Sequence, residues 1–234
     1  MSQTISEMKA WQKGMEKFPK AVGDFEVDPR NIGLLLVDMQ NYDAHPDYGI
    51  GKNIQTTNPE VANYYLLRLK VVVANCAKLL DFFRKNKLRV FHAAFGASMP
   101  DGSDMLTLRK MRLKEVPAFT TESFEYQILE ELKPMPDELV VSKATRCSFI
   151  GTGLDHKMRM IGIDTVAVVG AVSEICVAST ARGACDLGYK VVLMNDATAG
   201  FSEEDHNNTM RNFSLYFGKV MDTEELISAL SSEL

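Results

Sequence analysis

The sequence predicts an α/β fold: a doubly wound, mainly parallel six-stranded sheet with helices on both faces, in three layers. Two observations carry this expectation. Short, unbroken apolar runs recur along the chain, and such runs mark strands buried on both faces. Helix-length segments separate them, so strand and helix alternate throughout. No internal repeat or low-complexity tract interrupts the pattern. One domain is therefore expected over residues 31–234, behind an N-terminal extension of residues 1–30.

The extension is polar with scattered aromatics, Trp11, Phe18 and Phe25, and ends at the turn signal Asp28-Pro29. The first strand is the run Ile32-Gly33-Leu34-Leu35-Leu36-Val37. Further strands are expected at residues 88–94, 138–141, 165–169 and 190–194, with a weaker sixth near 216–220. Residues 59–86 place Leu66, Leu69, Val73, Ala77, Leu80 and Phe83 at helical spacing. A second helix is expected over 121–132, stopped by Lys133-Pro134. Helices over 149–161, 175–187 and 202–215 complete the set. The last opens on Ser202-Glu203-Glu204-Asp205, the acidic first turn that a helix dipole favours.

Composition narrows the function. The 234 residues are 46% hydrophobic and 24% charged, which fits a packed globular chain and not a disordered or fibrous one. The net charge is −5, from 26 basic and 31 acidic residues, with no dense basic block. Nucleic acid and anionic membrane are thereby disfavoured as partners. The first twenty residues lack the apolar core of a signal peptide, and no apolar run is long enough to span a bilayer. The four cysteines, Cys76, Cys147, Cys176 and Cys185, form no CxxC pair and no Cys/His metal pattern. Free thiols in a reducing, cytoplasmic setting are expected, with no metal and no cofactor.

In open α/β sheets, ligands bind beyond the carboxyl ends of the strands. Asp38 follows the first strand directly, Lys143 follows the third, and Cys176 follows the fourth through Gly170-Ala171-Val172-Ser173-Glu174. In a parallel sheet all three emerge at one edge. Cys176 is expected in the first turn of a helix, where unpaired N–H groups and the positive helix end stabilise a thiolate. Cys76 and Cys185 lie inside helices. Cys147, in a loop near Lys143, is the rival nucleophile.

Three ordered blocks then carry a resemblance. They are Ile32-Gly33-Leu34-Leu35-Leu36-Val37-Asp38-Met39-Gln40-Asn41; Val141-Ser142-Lys143 with Phe149-Ile150-Gly151-Thr152-Gly153-Leu154; and Val169-Gly170-Ala171-Val172-Ser173-Glu174-Ile175-Cys176-Val177-Ala178-Ser179-Thr180-Ala181-Arg182. Together with Asn195-Asp196-Ala197-Thr198, they make the chain from about residue 30 to 230 similar to the isochorismatase-like hydrolases, in their cysteine-hydrolase branch. The resemblance implies a triad of Asp38, Lys143 and Cys176. It also implies a cis peptide at Ala171-Val172, with the Val172 and Cys176 N–H groups forming an oxyanion hole. Asp38 would take the thiol proton, Cys176 would attack an amide-type carbonyl, and water would cleave the thioester.

The second strand reads Phe91-His92-Ala93-Ala94-Phe95-Gly96, without the Asp-x-His of the metal-bearing nicotinamidase branch. A metal site from His92, Asp101 and Asp104 is the weaker reading beside a loop-solvated acidic pair. The C-terminal half looks most like the ureidoacrylate and biuret amidohydrolases. The implied substrate is a small linear amide, ureido or carbamoyl compound, releasing ammonia or an amine. The alternatives are a nicotinamidase-type amidase, or a non-catalytic redox or metabolite-binding protein of the same fold. Arg146 stands where relatives often carry an aromatic residue; it is a candidate partner for a substrate carboxylate or, equally, for a surface salt bridge. Asn41 is a candidate to bind the leaving amide or to cap a turn. Gly183 replaces a common acidic residue. Specificity is expected in loops 41–58, 95–118 and 144–150. The resemblance further implies a homo-oligomer, a dimer or tetramer, with the aromatic extension a candidate contact.

Overall fold

The computed structural model describes residues 9–111 and 119–234. The start of the extension and residues 112–118 of the expected specificity loop lie outside the described residues. Six strands form one sheet: β1 (Ile32–Val37), β2 (Arg89–Phe95), β3 (Leu139–Lys143), β4 (Thr165–Ala171), β5 (Lys190–Ala199) and β6 (Lys219–Met221). Their order is β3-β2-β1-β4-β5-β6, and every pairing is parallel. The chain builds outward from β1 to β3, then returns to β4 on the other side of β1. The carboxyl ends of β1 and β4 therefore flank the point where the winding reverses, the usual crevice for a ligand.

The helices in chain order are α1 (Asn41–Ala44), α2 (Gly49–Thr57), α3 (Pro59–Lys85), α4 (Thr107–Lys110), α5 (Leu154–Met160), α6 (Ala178–Asp186), α7 (Glu203–Tyr216) and α8 (Thr223–Ser231). Alternation along the strands sorts them into two layers. Ile32, Leu34 and Leu36 pack with Leu69, Val72, Leu79 and Phe83 of α3 and with Leu226 and Leu230 of α8. Leu35 and Val37 face the opposite way, onto Leu154 and Met158 of α5, Ala181 and Ala184 of α6, and Met210 and Phe213 of α7. Both faces of β1 are thus covered, which is why its sequence is apolar at every position. Trp11 and Phe25 of the extension pack into these same two layers of their own chain, whereas Phe18 is 51% exposed.

Several elements differ from the sequence pattern. The helix expected over 121–132 is instead two short 3₁₀ turns, Phe124–Tyr126 and Glu130–Leu132. Competition for its carbonyls explains this. The Tyr126 carbonyl accepts from the Gln40 side-chain amide at 2.7 Å, and the Phe124 carbonyl accepts from that of Asn41 at 2.9 Å. Backbone bonds from Asn41 N–H to Gln127 O and from Leu129 N–H to Met39 O complete an antiparallel bridge at Gln40 and Ile128. Helix α5 starts five residues later than expected, behind Gly151 and Gly153 at positive φ. The helix expected from 175 is split into a π-helical turn, Ser173–Val177, followed by α6. Helices α1, α2, α4 and α8 were not expected; α8 is started by a capping box between Asp222 and Glu225.

Candidate active site

The register of the sheet brings the three predicted groups to one edge. Val37 pairs with Ala93 and with Gly170, and Phe95 pairs with Lys143, so Asp38, Lys143 and the turn after β4 all lie at the carboxyl end. The close approach of β1 and β4 requires Gly170: a Cβ there would lie 2.0 Å from the Val37 carbonyl oxygen, and its φ is +122°. Asp38 has φ +52°, a left-handed conformation uncommon for a residue with a side chain. Its N–H donates to Ala93 O at 2.9 Å, so the turn away from β1 is pinned to β2.

Lys143 Nζ donates to Asp38 Oδ2 at 2.8 Å and to Thr145 O at 3.1 Å. The pair is almost sealed from solvent, at 1% exposure for Asp38 and 2% for Lys143. Phe95 lies beneath the ammonium, 5.1 Å from it to the ring centroid. Burial raises the Asp38 carboxyl, and the Lys143 charge opposes that rise. For Lys143, burial alone would lower the ammonium, but the charges of Asp38 and Cys176 raise it overall. Direct contact thus offsets part of the cost of burying the pair. The Cys176 thiol is electrostatically coupled to the Asp38 carboxyl, whose Oδ1 is buried without a hydrogen-bond partner among the described residues.

Burial works against the thiolate that the helix position favours. Burial, reinforced by the neighbouring Asp38 charge, pushes the Cys176 thiol well above its ordinary range. Cys176 sits in the π-helical first turn, Ser173–Val177, which runs without a break into α6. The Val172 carbonyl accepts from both Ile175 N–H and Val177 N–H, at 3.0 and 3.3 Å, and so closes that turn. The Ala171–Val172 peptide is cis.

The rival thiols are placed elsewhere. Cys76 is fully buried in α3, and burial raises it strongly. Burial pushes Cys185 up to about 12, and its Sγ donates to Phe217 O. Cys147 is buried against α6, where a Cβ at Gly183 would lie 2.6 Å from its Sγ. That contact is the physical reason position 183 carries no side chain. Arg146 is exposed, and its guanidinium makes no hydrogen bond or ion pair among the described residues. Asn41 is buried, with its amide N–H bound to Phe124 O, so it anchors the 120s segment.

The nicotinamidase-type metal set is not assembled. His92 is buried in β2, where its Nε2 contacts Glu138 at 3.1 Å. Asp104 accepts from the N–H groups of Ser98 and Met99, and Asp101 from that of Ser103. Among the described residues, no three His, Cys, Asp or Glu side chains converge as metal ligands, and no helix is long and apolar enough to cross a membrane.

Four further residues support the site. Gln40 is fully buried; its side chain donates to Phe95 O and Tyr126 O and accepts from Phe95 N–H, tying β1, β2 and the 120s segment together. Glu174 Oε1 accepts from Phe201 N–H at 3.0 Å and ties the nucleophile turn to the end of β5. Ser173 Oγ bonds His206 Nδ1 at 3.0 Å. Asp43, on α1, is 7% exposed and its Oδ2 is buried without a partner. Gln40 stands inside a quoted motif block, but its partners are 55 and 86 residues away and leave no local trace.

The comparisons show the family and the fold. An isochorismatase domain model matches residues 33–225, most of the chain. The fold is similar to that of a cysteine hydrolase from Pseudomonas syringae pv. phaseolicola 1448A, with 23% identity over 93% of this chain and 100% of that one, at TM-score 0.78. It is also similar to an isochorismatase family protein from Burkholderia thailandensis, with 26% identity, 89% and 100% coverage and TM-score 0.70. An N-carbamoylsarcosine amidase from Thermoplasma acidophilum matches with 22% identity, 83% and 97% coverage and TM-score 0.62. With the winding, the site edge and the family model in agreement, the chain belongs to the isochorismatase family of hydrolases.

Proposed function

We propose that this protein is a cysteine-dependent amidohydrolase that cleaves a C–N bond of a small linear amide, ureido or carbamoyl compound. The observation that carries the reading is the buried Asp38–Lys143 ion pair, 2.8 Å between charged atoms, with the Cys176 thiol beside its carboxylate. A carboxyl held by an ammonium beside a thiol is placed to take the thiol proton as the sulfur attacks.

In the proposed reaction Asp38 takes the Cys176 proton as sulfur bonds to the substrate carbonyl carbon. Oxyanion charge develops, and the Val172 and Cys176 N–H groups are proposed to receive it. Collapse breaks the C–N bond, and the leaving nitrogen takes the proton from Asp38. The thioester carbonyl is then attacked by water, which gives a proton to Asp38, and expulsion of sulfur returns that proton to Cys176. Lys143 holds the carboxylate ionised and oriented through both halves. No metal or redox group takes part in these steps. The N-carbamoyl substrate named for one structural neighbour is compatible with this class.

The test is ammonia release from a panel of primary amides and ureides. Cys176→Ala is expected to lower the rate of an accepted substrate by ~10⁴-fold or more, since loss of a covalent nucleophile disables the whole unit. Cys176→Ala activity equal to wild type would end this reading.

A further inference from the structure

We propose that Asp43 is the substrate-recognising residue of this site and selects ureido compounds over simple amides by binding the nitrogen that is not expelled. The inference rests on the amidohydrolase reading and extends it to substrate class.

Asp43 follows Asp38 by five residues, on the short helix α1 that leaves the end of β1. Its backbone is fixed, because the buried Tyr65 hydroxyl donates to the Asp43 carbonyl at 2.9 Å. Its side chain makes no hydrogen bond or ion pair among the described residues, and Oδ2 is sealed without a partner. An orphaned buried carboxyl is costly, and a ligand that completes it repays that cost. The carboxyl shares the electrostatic neighbourhood of Asp38, Lys143 and Cys176, so it belongs to this cluster and not to a separate surface. Next to it, Tyr42 stacks on Phe119 at 4.1 Å between centroids, and Phe119 meets Phe95 edge-on at 5.8 Å.

The charge of the cluster decides what Asp43 offers. Lys143 is committed to Asp38, which leaves Asp43 with no counter-ion among the described residues. Burial, and then the Asp38 charge, raise its carboxyl well above the ordinary range. Its unpartnered oxygen is a hydrogen-bond acceptor in either protonation state. Such an acceptor complements the retained N–H of a ureido or acylurea group. A simple amide loses its only nitrogen as the leaving group and has no second N–H to offer.

The experiment compares kcat/KM for a ureide and for a primary amide of matched chain length in wild type, Asp43→Asn, Asp43→Ala and Cys176→Ala, with folding checked by circular dichroism. Wild type is expected to prefer the ureide, and Asp43→Ala to cut that preference by about ten- to hundredfold, mainly through KM. Asp43→Asn, which keeps an acceptor oxygen, is expected to retain more of the preference than Asp43→Ala. If hydrolysis depends on Cys176 but Asp43→Ala leaves the ureide-to-amide ratio unchanged, the role of Asp43 is refuted while the amidohydrolase reading stands. If Cys176→Ala hydrolyses both substrates as wild type does, the amidohydrolase reading fails and the inference falls with it.

Discussion

Replacing Lys143 by Met removes the only cation that, among the described residues, contacts a carboxylate that is 1% exposed. Breaking a buried pair from one side typically costs about 3–5 kcal/mol, because the remaining charge is stranded. In a domain of this size that corresponds to a fall in Tm of roughly 6–20 °C. Asp38→Asn alone strands the ammonium and carries a similar cost. The double variant Asp38→Asn/Lys143→Met removes both charges, so its loss is expected to be well below the sum of the single losses. Urea unfolding of wild type, both single variants and the double variant closes a thermodynamic cycle for the pair. A coupling energy of about 2 kcal/mol or more is the expected result. Single losses under about 1 kcal/mol, or losses that simply add, would refute the buried ion pair as the organiser of the site.

Two further variants probe the surroundings of the site. Gly183→Ala places a methyl 2.6 Å from Cys147 Sγ and is expected to destabilise by about 1–3 kcal/mol in urea melts; adding Cys147→Ala should recover that loss, and failure to recover it would contradict the contact. Burial, and then the Arg68 charge, push the His206 imidazole down to about 3, so the native state refuses a proton that the unfolded chain accepts. Stability is thus fully present above pH 6.5 and falls by up to about 1.4 kcal/mol per pH unit as pH drops from there towards 3, a slope that His206→Gln should lack; parallel slopes would overturn it.

The sheet was legible because both faces of its central strands are covered, which makes the strands apolar at every position and marks them without reference to neighbours. The arrival of Asp38, Lys143 and the turn after β4 at one edge was legible because parallel strands deliver the residues after each strand to the same end. The 121–132 segment was misread as helix because its carbonyls are claimed by Gln40 and Asn41, more than eighty residues away, and local periodicity carries no record of that competition. The burial of the thiol was not legible: sequence shows a cysteine near a helix start, but only the fold shows that deep burial and the Asp38 charge act against its ionisation there. Asp43 escaped notice because an aspartate after a strand looks like any loop residue until its burial is known.

The strand that ends in Lys143 is the outermost of six and is held through β2 alone. An outermost strand opens at lower free energy than the centre of a sheet, so fraying there withdraws the ammonium while the interior is still intact. The proposed activity would thus be lost well before the protein melts, and whatever docks along that open margin would set how long it endures.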